Sequence, residues 1–323
     1  MPTDTPEPPL VWAESPLQLV GAAEWAWAHR RSVPVAIRST PQMVQTLLEL
    51  RRRGAMFAEL SEWLGIPWRR LAANRRWLIG DGFSGQFRMA ASVLRPREMT
   101  FLDDGAHAIP FADALTGRAP YRRPGVAEHG LSTRVAPLAL DHIGRTAREG
   151  GVALYTAFDL GASRVAALAD RGVSVGAHAF EWTRAHARDT DLRGRVVLGS
   201  ALPTDGRMLR ADYLAWVARA ASDGEVTYLP HRRESLEQLR AVAELRGVTV
   251  RRTDLPAELV LAGTADLDIV TLSPSTQVTL PLVLAGTGST LRRLPEASGS
   301  VTLRAFGATP GPVAGLSGNR VGA

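Results

Sequence analysis

The 323-residue chain predicts an α/β fold built as two Rossmann-like halves that face each other across a cleft. Three observations carry this. Short apolar runs alternate with amphipathic stretches along most of the length, as in strands joined by crossover helices within a parallel sheet. Glycine and proline fall at the spacing of such elements. The pattern then restarts after Gly150-Gly151, and the length suits two domains. The expected division is a loose, Pro-rich tail over 1–9, an N-terminal domain over 10–150 and a C-terminal domain over 151–323.

Leu10 to Ala13 reads as the first strand. Ser15 is placed as N-cap and Pro16 as first residue of a helix to about His29. Val33 to Ile37 is a strand, Pro41 to Arg53 a helix, and Phe57 to Leu64, with apolar residues at helical spacing, a further helix. Trp77 to Ile79, a helix from Ser84 to Val93 and the strand Met99 to Leu102 follow. Pro110 to Leu138, rich in Pro, Gly and Arg, reads as a long connection. Asp141 to Glu149 is a short helix closing the first half. The second half opens on the strand Val152 to Phe158. Arg195 to Leu198 leads to Gly199-Ser200, then come a helix over Met208 to Ala221 and the strand Glu225 to Leu229. Glu234 opens a helix to Leu245. Val248 to Val250 and Leu267 to Leu272 are strands, and Ser275 to Ala285 is a helix.

Composition excludes several chemistries. There is no cysteine, hence no disulfide, thiol nucleophile or Cys-ligated metal. There is no lysine either, since all 38 basic residues are arginine, so Schiff-base catalysis and a Walker-A lysine are excluded. The net charge of +6 suits an anionic small ligand or peripheral association with an acidic membrane. No arginine stretch interleaves with aromatics as in a nucleic-acid groove, so no nucleic-acid partner is expected. No apolar run reaches the roughly 18 residues of a membrane span, and the N-terminus lacks the basic and apolar regions of a signal peptide, so a cytoplasmic location is expected. His29, His107, His129, His142, His178 and His186 show no metal-ligand spacing, and no metal is expected.

Three strand ends carry chemistry. At Phe101-Leu102-Asp103-Asp104-Gly105 a buried strand stops and sets two acids on a turn that Gly105 allows to be tight. Paired acids titrate apart, which suits one to act as a base; a helix N-cap at Asp104 is the structural alternative. His107 is close enough to line the same site. At Tyr228-Leu229-Pro230-His231-Arg232-Arg233-Glu234, imidazole and guanidinium stand before a helix N-terminus, a setting for phosphate and for proton donation to a leaving group. At Thr271-Leu272-Ser273-Pro274-Ser275-Thr276, hydroxyls and open N–H groups can hold phosphate oxygens, or simply cap a helix.

Glu14-Ser15-Pro16-Leu17-Gln18-Leu19, Asp103-Asp104-Gly105, Pro230-His231 and Ser273-Pro274-Ser275-Thr276 resemble, in order and rough separation, the motifs of bacterial sialyltransferases and polysialyltransferases: S/T-P-L-Q, D/E-D/E-G, H-P and S-S/T. The resemblance spans about residues 10 to 290. It implies a GT-B fold and transfer, with inversion and without a metal or other cofactor, of a sugar from a CMP-activated donor to a glycan or small-molecule acceptor. It implies Asp103 as the base, and His231 as assisting the departure of CMP. Ser273, Ser275 and Thr276 would hold the phosphate, with Gly199, Ser200, Pro230 and Arg232 beside the nucleotide. Ser15, Gln18, Asp104, Gly105 and His107 would lie on the acceptor side. The chain departs from the pattern in reading Pro-His-Arg where the families carry His-Pro, and in separating the paired hydroxyls by Pro274. The donor sugar therefore stays open, with CMP-Kdo and UDP-hexoses as alternatives.

A rival lies in Gly80-Asp81-Gly82-Phe83-Ser84-Gly85, a formal G-x-G-x-x-G with Asp103 18 residues beyond Gly85. That spacing predicts an NAD-dependent oxidoreductase with Asp103 on the ribose. It does not sit on the first β-α unit, and it leaves His231 and the Ser273 loop without a role.

Overall fold

The computed structural model describes residues 7–103, 105–273 and 275–294. Asp104, Pro274, most of the expected N-terminal tail and the Gly/Pro-rich C-terminal stretch lie outside the described residues.

Seven strands form one parallel sheet: β1 (Leu10–Ala13), β2 (Val33–Arg38), β3 (Phe57–Trp63), β4 (Arg76–Ile79), β5 (Glu98–Phe101), β6 (Val152–Thr156) and β7 (Val173–Ala177). Their order is β3-β2-β1-β4-β5-β6-β7. Around them run α1 (Pro16–Ala28), α2 (Pro41–Arg52), α3 (Trp68–Ala73), α4 (Gly85–Leu94), α5 (Ala108–Leu115), α6 (Leu131–Arg148) and α7 (Ala162–Ala169), with α8 (Glu181–Ala185) after β7. A second parallel sheet holds β8 (Arg195–Leu198), β9 (Val226–Leu229), β10 (Val248–Val250), β11 (Asp268–Val270) and β12 (Thr290–Arg292), in the order β10-β9-β8-β11-β12. Its helices are α9 (Arg210–Ala220), α10 (Leu236–Ala243), α11 (Ala257–Leu261) and α12 (Thr276–Val283).

The chain is therefore an α/β protein with two Rossmann-like parallel sheets. The central strands read as unbroken apolar runs because helices cover both faces; all four residues of β1 are buried. Each sheet reverses its strand order once, between β1 and β4 and between β8 and β11. Such switch points leave a crevice at the carboxyl ends of the strands.

The structure corrects several element assignments. Phe57–Trp63 is an edge strand paired with β2, not a helix. Its apolar residues have helical spacing, yet only the terminal Phe57 and Trp63 are buried. The sequence alone puts Val152 to Phe158 at the start of the second half. In the fold β6 pairs with β5 and β7 with β6, so the change of sheet comes after β7, not at Gly150-Gly151. The helix expected over Asp141 to Glu149 begins at Leu131 and packs on α4, with Pro137 inside it. The long connection shrinks to 116–130 between α5 and α6.

The two sheets' layers share packing. Leu259 and Ala262, at α11, and Val283 of α12 join the core of α1, α2 and α8. Arg53 Nη2 donates to the Leu259 carbonyl at 2.9 Å and Arg184 Nη1 to the Leu282 carbonyl at 2.6 Å. Glu24, 1% exposed, accepts from the amides of Trp182 and Thr183 at 2.9 and 2.8 Å, which locks α1 to the start of α8.

Candidate functional site

Strand order decides which loops are neighbours. In the first sheet β5 lies between β4 and β6, so the loop carrying Asp103 sits beside the Gly80–Ser84 loop and the turn at Ala157. In the second, β8 lies between β9 and β11. The Gly199-Ser200, Pro230-His231 and Ser273–Thr276 loops therefore stand side by side at the switch point. Three stretches far apart in sequence are brought together there.

Asp103 is 3% exposed. Its Oδ2 accepts from the Ala157 amide at 2.6 Å and lies 3.3 Å from Nε2 of His178. Its Oδ1 is buried with no partner among the described residues. His178 is stacked on Tyr155 at 5.0 Å between ring centres. No local pattern singles it out, because β7 carries no clear strand signal and 75 residues separate it from Asp103. Gly105 has φ +63°, the left-handed turn expected of it. Asp103, His107, Phe83 and Asp81 line a pocket of about 20 Å³, room for about one water-sized group.

Gln18 is not presented to a ligand. It is 1% exposed, and its Oε1 accepts from the amides of Glu14 and Ser15 at 2.6 and 3.1 Å. It shapes the turn after β1 and packs against Gly80, where a Cβ would lie 2.0 Å from Oε1. Cβ atoms at Gly82 and Gly85 would meet Phe111 at 2.3 Å and Ser132 at 2.7 Å. These glycines serve close packing within the protein, and Asp103 is engaged by Ala157. The close contacts at Gly80, Gly82 and Gly85 leave little room for a pyrophosphate to approach their backbone.

His231 follows β9, and its Nδ1 accepts from the Arg233 amide at 3.2 Å. The neutral ring therefore carries its proton on Nε2, as a donor. Burial first, then the nearby charges of Arg233 and Arg232, lowers its pKa to about 4. The imidazole is uncharged near neutrality, not cationic as its loop suggested from sequence. Because this value lies below the ordinary one of about 6.5, protons favour the unfolded chain, and the group costs stability progressively as pH falls from about 6.5 to about 4. In a ¹⁵N NMR titration of the free protein His231 should titrate near pH 4. A midpoint near 6.5 would show the ring solvated instead of buried.

Arg233 forms a two-pronged pair with Asp205 at 2.7 and 2.9 Å. Arg232 is exposed and has no partner among the described residues. Glu234 does not open a helix: Ser235 caps α10, and Glu234 turns inward. Gly199 and Ser200 offer no amide to a nucleotide, since Gly199 N–H donates to the Leu229 carbonyl and Ser200 N–H to Tyr213 Oη, both at 2.8 Å. In the third loop Thr276 Oγ1 donates to the Ser273 carbonyl at 2.9 Å, and the Ser273 and Ser275 hydroxyls are 3.0 Å apart. At the start of α12 the Val278 and Thr279 amides donate to the Ser275 carbonyl at 3.0 and 3.1 Å.

A Cβ built on Gly105 would stand 3.8 Å from Cβ of Ser275, so the acid loop of the first sheet lies near the hydroxyl loop of the second.

No protein-family model matches the chain, and no curated protein matches it. Among the described residues no helix is long and apolar enough to cross a membrane.

Proposed function

We propose that the protein is a metal-independent inverting glycosyltransferase of GT-B arrangement that moves a sialic-acid-like sugar from a CMP-activated donor to an acceptor hydroxyl. The nearness of Gly105 to Ser275 carries the reading, since a carboxylate loop close to a hydroxyl loop suits a base on one side and a donor phosphate on the other. The acceptor oxygen attacks the anomeric carbon and its proton passes to Oδ1 of Asp103, the oxygen with no partner among the described residues. The bond from that carbon to the phosphate oxygen breaks, and its electron pair leaves on CMP. His231 gives a hydrogen bond from Nε2 to the leaving phosphate, beside Arg232 and the Ser273 and Ser275 hydroxyls, while Thr276 holds the loop by donating to the Ser273 carbonyl. Gly199 and Ser200 support this loop set from behind. Gln18 and Gly105 shape the acceptor side, and Ser15, Asp104 and His107 stand near it in sequence or space.

The acceptor approaches over the first switch point. An open groove of about 580 Å³ shares Asp81 and Phe83 with the Asp103 pocket, a volume in the range of small-ligand sites. Release of free nucleotide from a panel of CMP-, UDP- and GDP-sugars tests the reading. Turnover of a CMP-sugar supports it. Turnover of a UDP-sugar alone moves the donor and keeps the mechanism. No turnover, with tight NAD binding, would replace it by the dehydrogenase.

A further inference from the structure

Behind Gly199 and His231 runs a buried chain of hydrogen bonds. Ser200 N–H donates to Tyr213 Oη at 2.8 Å, and the hydroxyls of Tyr213 and Tyr228 are 2.6 Å apart. Tyr228 Oη donates to Oε2 of Glu234 at 2.6 Å. From the other side His231 N–H donates to Oε1 of Glu234 at 2.6 Å. A phenol has one proton. Tyr228 uses its own on Glu234, so Tyr213 is the donor between the tyrosines. Every donor thus points the same way and ends on one carboxylate.

Neither tyrosine is exposed. Burial pushes the Glu234 carboxyl upward, opposed by Tyr228, His231 and Gln238. Gly199 leaves the space this needs: a Cβ there would lie 2.0 Å from Oε1 of Glu234 and 2.6 Å from the His231 nitrogen. A carboxylate packed so closely against a glycine and answered by a directional chain fixes backbone geometry more tightly than loose packing does.

We propose that Glu234 is a positioning residue for His231: it pins the His231 backbone amide and, through Tyr228 and Tyr213, ties the histidine loop to Ser200. The proposal rests on His231 facing the leaving phosphate. His231 is then fixed at two points, its amide on Glu234 and its Nδ1 on the Arg233 amide, which leaves Nε2–H as the one donor it can aim. Three donors converge on Glu234: His231 N–H on Oε1, and the Tyr228 hydroxyl with the longer Gln238 amide bond at 3.4 Å on Oε2. A glutamine offers one acceptor oxygen and one NH₂ group, so in E234Q either His231 N–H or the Tyr228 hydroxyl meets a donor.

The test compares wild type, E234Q and Y228F by steady-state kinetics on a CMP-sugar, thermal melting and ¹⁵N NMR of the His231 ring. E234Q is expected to lower kcat by about 10²-fold with little change in KM, the effect of a misaimed group. His231 should lose its single Nε2–H tautomer. Y228F, which leaves the His231–Glu234 bond in place, should show a smaller loss and keep the tautomer; it supplies the comparison if E234Q does not fold. Wild-type kcat and tautomer in a folded E234Q, or equal defects in both variants, would overturn the proposal. A wild type inactive on every nucleotide sugar defeats the transfer reading separately. The ring tautomer then decides for Glu234 by itself: lost in E234Q it upholds the positioning role, unchanged it overturns it.

Discussion

Asp103→Asn is expected to lower turnover of a CMP-sugar by about 10²- to 10⁴-fold, the contribution of a positioned general base. The substitution is close to isosteric. The Ala157 amide, 2.6 Å from Oδ2, selects the orientation of the new side chain: the amide oxygen takes that N–H and the NH₂ group points where Oδ1 stood. A donor then faces the acceptor hydroxyl where a proton acceptor is needed. Stability should change little, because the Ala157 bond persists and one buried polar group without a partner replaces another. Initial rates of CMP release, taken beside thermal melts, separate the two effects. A folded variant within about threefold of wild type, far short of the effect of losing a base, would remove Asp103 from the chemistry.

Glu128→Ala is expected to destabilise the protein by about 3–5 kcal/mol, the cost of leaving one partner of a buried ion pair alone. Arg88 has its side chain 1% exposed and binds Glu128 at 2.6 and 3.3 Å, with the Tyr121 ring 4.5 Å from its guanidinium carbon. Glu128 also accepts from the Arg123 amide at 3.0 Å. Tyr121 reaches the Gly82 carbonyl and Arg123 reaches Asp81, so residues 121–128 are strapped over the loop after β4. Losing Glu128 frees the strap that walls the acceptor groove. A fall in melting temperature on the order of 10 °C should accompany the loss. Arg88→Met combined with Glu128→Leu should recover most of it, since replacing a whole buried pair by apolar groups is often neutral. Burial acts to raise the Glu128 carboxyl, but the Arg88 hydrogen bond and its neighbours outweigh this and lower it. With the folded value depressed, the pair's contribution is present above the ordinary carboxylate range near pH 4.3 and fades as pH falls below it. Urea titrations of the two variants and wild type at pH 7 and pH 4 measure both predictions.

The chain by itself determined the α/β class, the parallel sheets and most central strands. These are local signals: an apolar run covered on both faces, a Ser-Pro helix start at Ser15-Pro16 and a glycine past a helix end. It also determined which strand ends carry polar chemistry, since Asp103, His231 and Ser273 each follow an apolar run directly. Only the tertiary structure decided what those groups meet. That β5 lies between β4 and β6 is a matter of strand order, which no local pattern encodes, and with it come the Ala157 amide and His178 beside Asp103. The 57–63 segment was misread because its apolar spacing fits a helix, while its state is fixed by pairing with β2. The reach of the first sheet through β7 was hidden because Gly150-Gly151 looks the same inside a domain as between two. Gly199 and Glu234, 35 residues apart, become a single packed unit only when β8 and β9 lie side by side. Local residue type sets the chemistry available at each strand end, and long-range packing sets burial, partner and charge state; burial is what leaves His231 neutral where its sequence neighbours suggested a cation.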